Sequence, residues 1–175
     1  MGEERLSSAH FSLRPMETMQ SILKEILAHP DFREGKEWRR RLFHPNEVVV
    51  REGEAGRSLF LLETGELRVS GRVQLEDSRR VCPGLCDLAP GEVFGELTLF
   101  DSAPRTATVT ALCEATVVEI DGPALDRFLE RHPQLGYRLL RSLYGVLARR
   151  LRRADRQLEG LIGWGLRARR IDRFL

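Results

Sequence analysis

Lysine is almost absent. The 175 residues carry 26 Arg and two Lys. Any exposed helix of this chain is therefore Arg-rich, and a basic cluster alone does not mark a nucleic-acid surface. Cysteine is scarce as well, and three residues is an odd count that argues against a disulfide framework. No apolar run approaches the roughly 18 residues of a membrane span, which excludes an integral membrane protein. The N-terminus, MGEERLSSAH, has acids where a signal peptide has bases. Leu6 stands where a myristoylation signal needs Ser or Thr. These absences predict a cytoplasmic protein with no membrane partner. Internal repeats, low-complexity tracts and Ser/Gly linkers are also lacking.

What remains is globular: 42% hydrophobic and 31% charged residues, with a net charge of +2. The length suits one domain with short appendages. Residues 149–175 hold nine Arg against Asp155, Glu159 and Asp172, a local charge of +6 that leaves −4 on the first 148 residues. A basic tail suits nucleic acid or an acidic partner. The Arg bias of the whole chain makes nucleic acid the less favoured partner.

Residues 1–14 show no periodicity and read as a loose arm. Pro15 is expected to open a helix carrying Met16, Met19, Ile22, Leu23, Ile26 and Leu27 on one face, stopped by Pro30. A second, shorter helix is expected from Asp31 to about Arg41, with Phe32 and Trp38. From His44 short runs of Val, Leu and Thr alternate with turn residues. The runs are 47–51, 58–62, 66–70, 72–75, 85–88, 106–111 and 116–120. Short strands at such spacing predict a β sandwich or small barrel, with Leu61, Leu67 and Val69 lining its interior. Asp121 then caps a helix bearing Leu125, Phe128 and Leu129, and Pro133 starts a longer one. In the latter, Leu140, Tyr144, Leu147, Leu151, Ala154, Leu158 and Leu161 step by four and three residues, a heptad seam. Gly160, Gly163 and Gly165 weaken its end. The seam serves either to dock on the β unit or to pair two chains, and dimerisation is the favoured reading.

One segment carries chemistry: FGELTLFDSAPRTA, Phe94 to Ala107. Gly95 permits a sharp turn and close approach of a ligand. Glu96–Phe100 is long enough for one helical turn with free N–H groups. Arg105 supplies a planar fork that matches phosphate, and Pro104 fixes the backbone before it. An ionised Glu96 only accepts hydrogen bonds, so it suits a sugar hydroxyl. Together they ask for an anion with a neighbouring hydroxyl, as in a ribose phosphate. The alternative is an internal Arg105–Glu96 salt bridge in an empty pocket, a poor source of stability.

This segment resembles the phosphate-binding cassette of the cyclic nucleotide-binding domain family. The resemblance extends over roughly residues 43–158, through NEVVVREGEAGRSLFLLETGELRVS, LAPGEVFGE and TATVTALCEATVVEID. It implies a mainly β fold with flanking helices (α+β): a double-stranded β-helix or jelly-roll β-roll, with N-terminal helices and two C-terminal helices. Its parts are an arm and helices over 1–43, the roll over 44–121, lid and dimer helices over 122–161, and a basic tail over 162–175. By position Arg105 would bind the exocyclic phosphate and Glu96 the ribose 2′-OH. Phe94, Gly95, Leu97, Thr98, Pro104, Thr106 and Ala107 would complete the ligand site. A residue between about Tyr144 and Leu158 would cap the base. Thr98 stands where the family usually has Ala, Gly or Ser, and could either touch the phosphate or crowd it. Thr106 does not decide between cAMP and cGMP. The stretch ARRLRRADRQLEGLIGW resembles the dimer helix and hinge of Crp-type regulators. Only LRARRIDRFL follows, too short for a helix-turn-helix.

Other signals point nowhere. The CPGLC spacing of Cys82 and Cys86 fits neither a redox pair nor a zinc knuckle, and Cys113 stands in the strand region. His10, His29, His44 and His132 show no ligand spacing, so no metal is expected. Ser102 has no readable base, and Asp101 with Glu96 would repel an anionic substrate, so no enzyme is expected. The reading is a stand-alone cAMP or cGMP sensor without a cofactor. It would be a homodimer through residues 140–161 that signals to an unidentified effector protein. The alternatives are a ligand-independent dimeric interaction module, the sensor half of a Crp-like regulator, and a roll adapted to another effector such as a cyclic dinucleotide.

Overall fold

The computed structural model describes residues 18–71, 73–74, 80–81, 84–99 and 103–168. Its first helix, α1 (Met19–Leu27), begins after Thr18, whose hydroxyl accepts the Ser21 amide at 3.2 Å. Pro15 and Met16, where the helix was expected to open, lie outside the described residues. Ten strands follow among the described residues: β1 (Trp38–Phe43), β2 (Val48–Val50), β3 (Leu59–Thr64), β4 (Leu67–Ser70), β5 (Val73–Gln74), β6 (Arg80–Val81), β7 (Gly84–Leu88), β8 (Val93–Phe94), β9 (Thr108–Ala111) and β10 (Ala115–Ile120). They form two antiparallel four-stranded sheets, ordered β1-β10-β3-β8 and β2-β9-β4-β7, plus the small β5-β6 ribbon. Two helices come last among the described residues, α2 (Gly122–Arg131) and α3 (Pro133–Ala168).

The helix expected over Asp31–Arg41 is not there. Gly35 turns the backbone in the left-handed region at φ 81°, and its amide bonds the Trp38 carbonyl at 2.7 Å. From Trp38 the chain is extended and pairs with β10 along its whole length, Trp38 opposite Ile120 and Phe43 opposite Ala115. Three consecutive arginines hide this strand in the sequence. Arg39 and Arg41 bond Glu119, while Arg40 bridges Glu34 and Glu63. A charged row of this kind suits an edge strand, since it discourages pairing with foreign chains. The sheet thus starts upstream of residue 44.

Alternation along β3 sorts the core. Phe60 and Leu62 face the roll interior with Phe43, Leu67, Leu88, Phe94, Val109 and Val117. Leu59 and Leu61 face the helices, packed with Ile22, Leu23, Ile26, Phe32, Val118, Ile120, Leu125 and Phe128. Leu61 therefore lies on the helix side, not inside the roll. A period-two strand covered on both faces buries every residue, and polarity alone does not say which face is which.

Asp121 caps α2 as expected, accepting the Ala124 amide at 2.8 Å. A side chain at Gly122 would stand 1.9 Å from the Arg57 carbonyl, so only glycine lets α2 pack there. α3 runs for 36 residues, through Gly160, Gly163 and Gly165. At a rise of 1.5 Å per residue it is about 54 Å long. Leu139 and Leu143 are buried against α1 and α2. Arg138 adds a two-pronged bond to Glu25 of α1 at 3.1 and 2.6 Å, which holds that carboxyl below its usual range. No helix among the described residues is long and apolar enough to cross a membrane.

Neighbours on α3 differ sharply in burial: Leu139 is 0% exposed and Leu140 50%. Leu139→Ala is expected to cost about 2–5 kcal/mol in urea unfolding, through lost transfer energy and the cavity left behind. Leu140→Ala should stay within roughly 0.5 kcal/mol at protein concentrations too low for self-association. Equal losses would contradict this packing.

Candidate functional site

The backbone of Arg105 is pinned before its side chain is considered. Its amide bonds the Glu54 carbonyl at 2.9 Å and its carbonyl accepts the Gly53 amide at 2.8 Å. The side chain then runs inward and is 7% exposed. Nη1 donates to the Gly95 carbonyl at 3.1 Å and the Thr98 hydroxyl at 2.7 Å, and Nη2 donates to the Ser58 carbonyl at 2.9 Å. The Phe60 ring lies beneath it, 5.4 Å from centroid to guanidinium carbon. Among the described residues no carboxylate pairs with it directly. Burial pushes its pKa down, opposed by the fields of Glu119 and Glu96. Arginine stays protonated even so, and the buried positive charge persists.

Gly95 makes this arrangement possible. It sits at φ 79°, and a Cβ there would meet the Ser58 carbonyl at 2.8 Å and Arg105 Nη1 at 2.9 Å. The turn it opens, Glu96–Thr98, is a three-residue 3-10 turn and not an α-helical one. The Thr98 hydroxyl donates to the Gly56 carbonyl at 2.8 Å while accepting from Arg105. It therefore holds the guanidinium from one side.

The Arg105–Glu96 salt bridge considered from sequence does not form. Glu96 is 6% exposed, and its carboxylate is held by Arg150 of α3. Arg150 also donates to the Val93 carbonyl at 3.0 Å. Among the described side chains Arg150 is the one from α3 that lines the cavity; it lies within the 144–158 stretch expected to cap the base, but its partners are Glu96 and the Val93 carbonyl. A signal for it did exist. Leu139, Leu143, Val146 and Arg150 step by four, three and four residues along the packed face of α3, where a charge is out of place.

These groups border a cavity of about 400 Å³, within the range of small-molecule sites. Val50, Val69, Leu88 and Val109 give it an apolar floor; Glu96, Thr98, Arg105 and Arg150 give it polar walls. Of the expected residues, Phe94, Gly95, Glu96, Leu97, Thr98, Arg105, Thr106 and Ala107 all line it. Pro104 is exposed and does not. Cys86 also lines it, while Cys82, Asp101 and Ser102 lie outside the described residues. The arrangement offers an apolar bed, one buried cation and one acceptor carboxylate.

The cyclic nucleotide-binding domain family model matches residues 40–132. The chain belongs to that family. It is 36% identical over 120 residues to a CRP-like cAMP-activated global transcriptional regulator of Mycobacterium tuberculosis, covering 69% of this chain and 50% of that one. It is 32% identical over 100 residues to a cAMP-dependent protein kinase regulatory subunit of Debaryomyces hansenii, covering 53% of this chain and 20% of that one. The Thermus thermophilus catabolite activator protein has a similar structure, with a TM-score of 0.61, 25% identity, and coverage of 86% of this chain and 61% of that one. The chain spans about half the length of the bacterial relative. These named relatives are regulators, and the β-roll with flanking helices is the fold of the cyclic nucleotide-binding domain.

Thr98→Val keeps the shape of this domain's turn and removes the hydroxyl. One buried Arg105 N–H then loses its acceptor, with an expected loss of about 1–3 kcal/mol in urea unfolding. An unchanged midpoint would show that the hydroxyl does not hold the guanidinium.

Proposed function

We propose that this chain is a cyclic nucleotide receptor, for cAMP or cGMP, whose occupancy is read by another chain through α3. The observation that carries the reading is the buried Arg105, oriented by two carbonyls and a hydroxyl but neutralised by none of them. Burying an ion without a counter-charge costs several kcal/mol. An anion entering the cavity removes that cost and gains a two-pronged, charge-assisted pair. The ribose 2′-OH donates to Glu96, and the base lies on the apolar floor beneath α3.

Arg150 ties ligand to output. It holds the same carboxylate that the ribose hydroxyl uses, and it stands on α3. A nucleotide that binds differently with α3 in and out shifts the helix between those positions, by no more than its differential affinity. Four residues of the α3 seam are open, Leu140 at 50% exposed, Tyr144 at 75%, Leu151 at 65% and Leu158 at 58%, while Leu147 packs partly against the core. Such a row fits a second copy of the helix, so the receptor works as a homodimer whose interface moves with α3. The Glu96–Arg150 pair, formed within the chain, also favours a second reading: a dimeric module that no longer needs a ligand.

Calorimetric titration with cAMP, cGMP and a cyclic dinucleotide in parallel separates these readings. One site per chain is expected for a cyclic mononucleotide. Arg105→Ala should abolish binding with the circular dichroism spectrum intact. Glu96→Ala should weaken binding roughly ten- to a hundredfold, the worth of a hydrogen bond to a charged group. Undetectable binding in the wild type and both variants would leave the ligand-independent module. In sedimentation, Leu151→Glu is expected to halve the particle mass; an unchanged mass would remove the α3 seam from the interface.

A further inference from the structure

Outside the cavity lining, the fold brings His132 against His29 and Asp31, which lie about 100 residues earlier in the chain. His29 follows the end of α1, Asp31 lies just beyond Pro30, and His132 stands between α2 and α3. The two imidazoles are 4.5 Å apart between ring centroids. His132 Nε2 is 3.7 Å from an Asp31 carboxylate oxygen, and His29 Nδ1 is 4.0 Å from the same oxygen. One donor atom from each residue lies within 4.8 Å of the other two. His132 Nε2 is buried and has no hydrogen-bond partner among the described residues. A polar atom left so is costly unless something meets it.

We propose that His29, Asp31 and His132 form a binding site for a divalent transition metal of the zinc type. Two imidazoles and one carboxylate suit such ions, whereas calcium and magnesium favour oxygen-only sets. Ligand atoms about 2.0–2.1 Å from a tetrahedral centre lie about 3.3 Å from one another. The three donors therefore need only draw together. Asp31 is 56% exposed and free to move inward, and water completes the coordination. Ligation takes the His29 Nδ1 lone pair that now accepts the Asp31 amide at 3.2 Å. That amide belongs to an exposed residue, so water replaces the lost acceptor. The Phe128 ring, 4.4 Å from His132 and 5.1 Å from His29, walls one side. A bound ion would clamp the end of α1 to the α2–α3 junction, independently of any nucleotide.

The test is a titration of the full chain with Co²⁺ alone at about pH 7.5, followed by visible absorption. One Co²⁺ per chain is expected, with no sulfur charge-transfer band, and Zn²⁺ should displace it. His132→Gln and Asp31→Asn should each weaken binding by more than the roughly 10–100-fold that loss of an outer-sphere partner costs. His132 packs against Phe128, so its replacement risks the fold; the exposed Asp31 does not, and Asp31→Asn decides the matter. No cobalt spectrum up to about 1 mM, a weak millimolar affinity at best, would overturn the proposal and leave an aromatic cluster only. So would a thiolate spectrum, or Asp31→Asn binding cobalt as well as the wild type.

Discussion

A single buried guanidinium, oriented by neutral acceptors and paired with no carboxylate among the described residues, governs the geometry of the cassette. Arg105 is held by three neutral acceptors from two separated parts of the chain: Ser58 before β3, and Gly95 and Thr98 in the turn after β8. Those acceptors fix where the charge points without cancelling it. The left-handed Gly95, the hydroxyl at Thr98 and the backbone pairing at Gly53 and Glu54 all follow from placing that one group. A protein built only for stability gains little from such an arrangement, since an apolar side chain would fill the space at lower cost. Its value lies in what enters the cavity.

The second constraint is that the cavity is not closed by the roll alone. One of its polar walls, Arg150, belongs to α3, and its partner Glu96 belongs to the cassette. Chemistry inside the roll and the position of a helix about 54 Å long are thereby linked through one ion pair. The same helix buries Leu139 and Leu143 against the domain and leaves Leu140, Tyr144 and Leu151 uncovered. The packed and uncovered residues thus lie on adjoining faces of the same helix.

Much of this was legible before the structure. Turn residues and short Val- and Thr-rich runs located most strands, Asp121 announced α2, and the Phe94–Ala107 segment named the cavity wall apart from the exposed Pro104. The failures have physical causes. Trp38–Phe43 hides as a strand because its arginines are satisfied by Glu119, Glu63 and Glu34, partners distant in sequence or across a turn. Leu61 was assigned to the wrong core because β3 is covered on both faces. Among 26 arginines, Arg150 is distinguished only by its place on an apolar face. His29 and His132 meet only because α1 packs beside the α2–α3 junction, which no local spacing encodes.

The account stands on Arg105 meeting the phosphate of a bound nucleotide. The phosphorus-31 resonance of cyclic AMP, recorded with saturating wild-type protein and with Arg105→Ala, reads that contact directly. The account predicts a displaced bound resonance with the wild type and only the free resonance with the variant. A bound resonance with the same displacement in both proteins would contradict it.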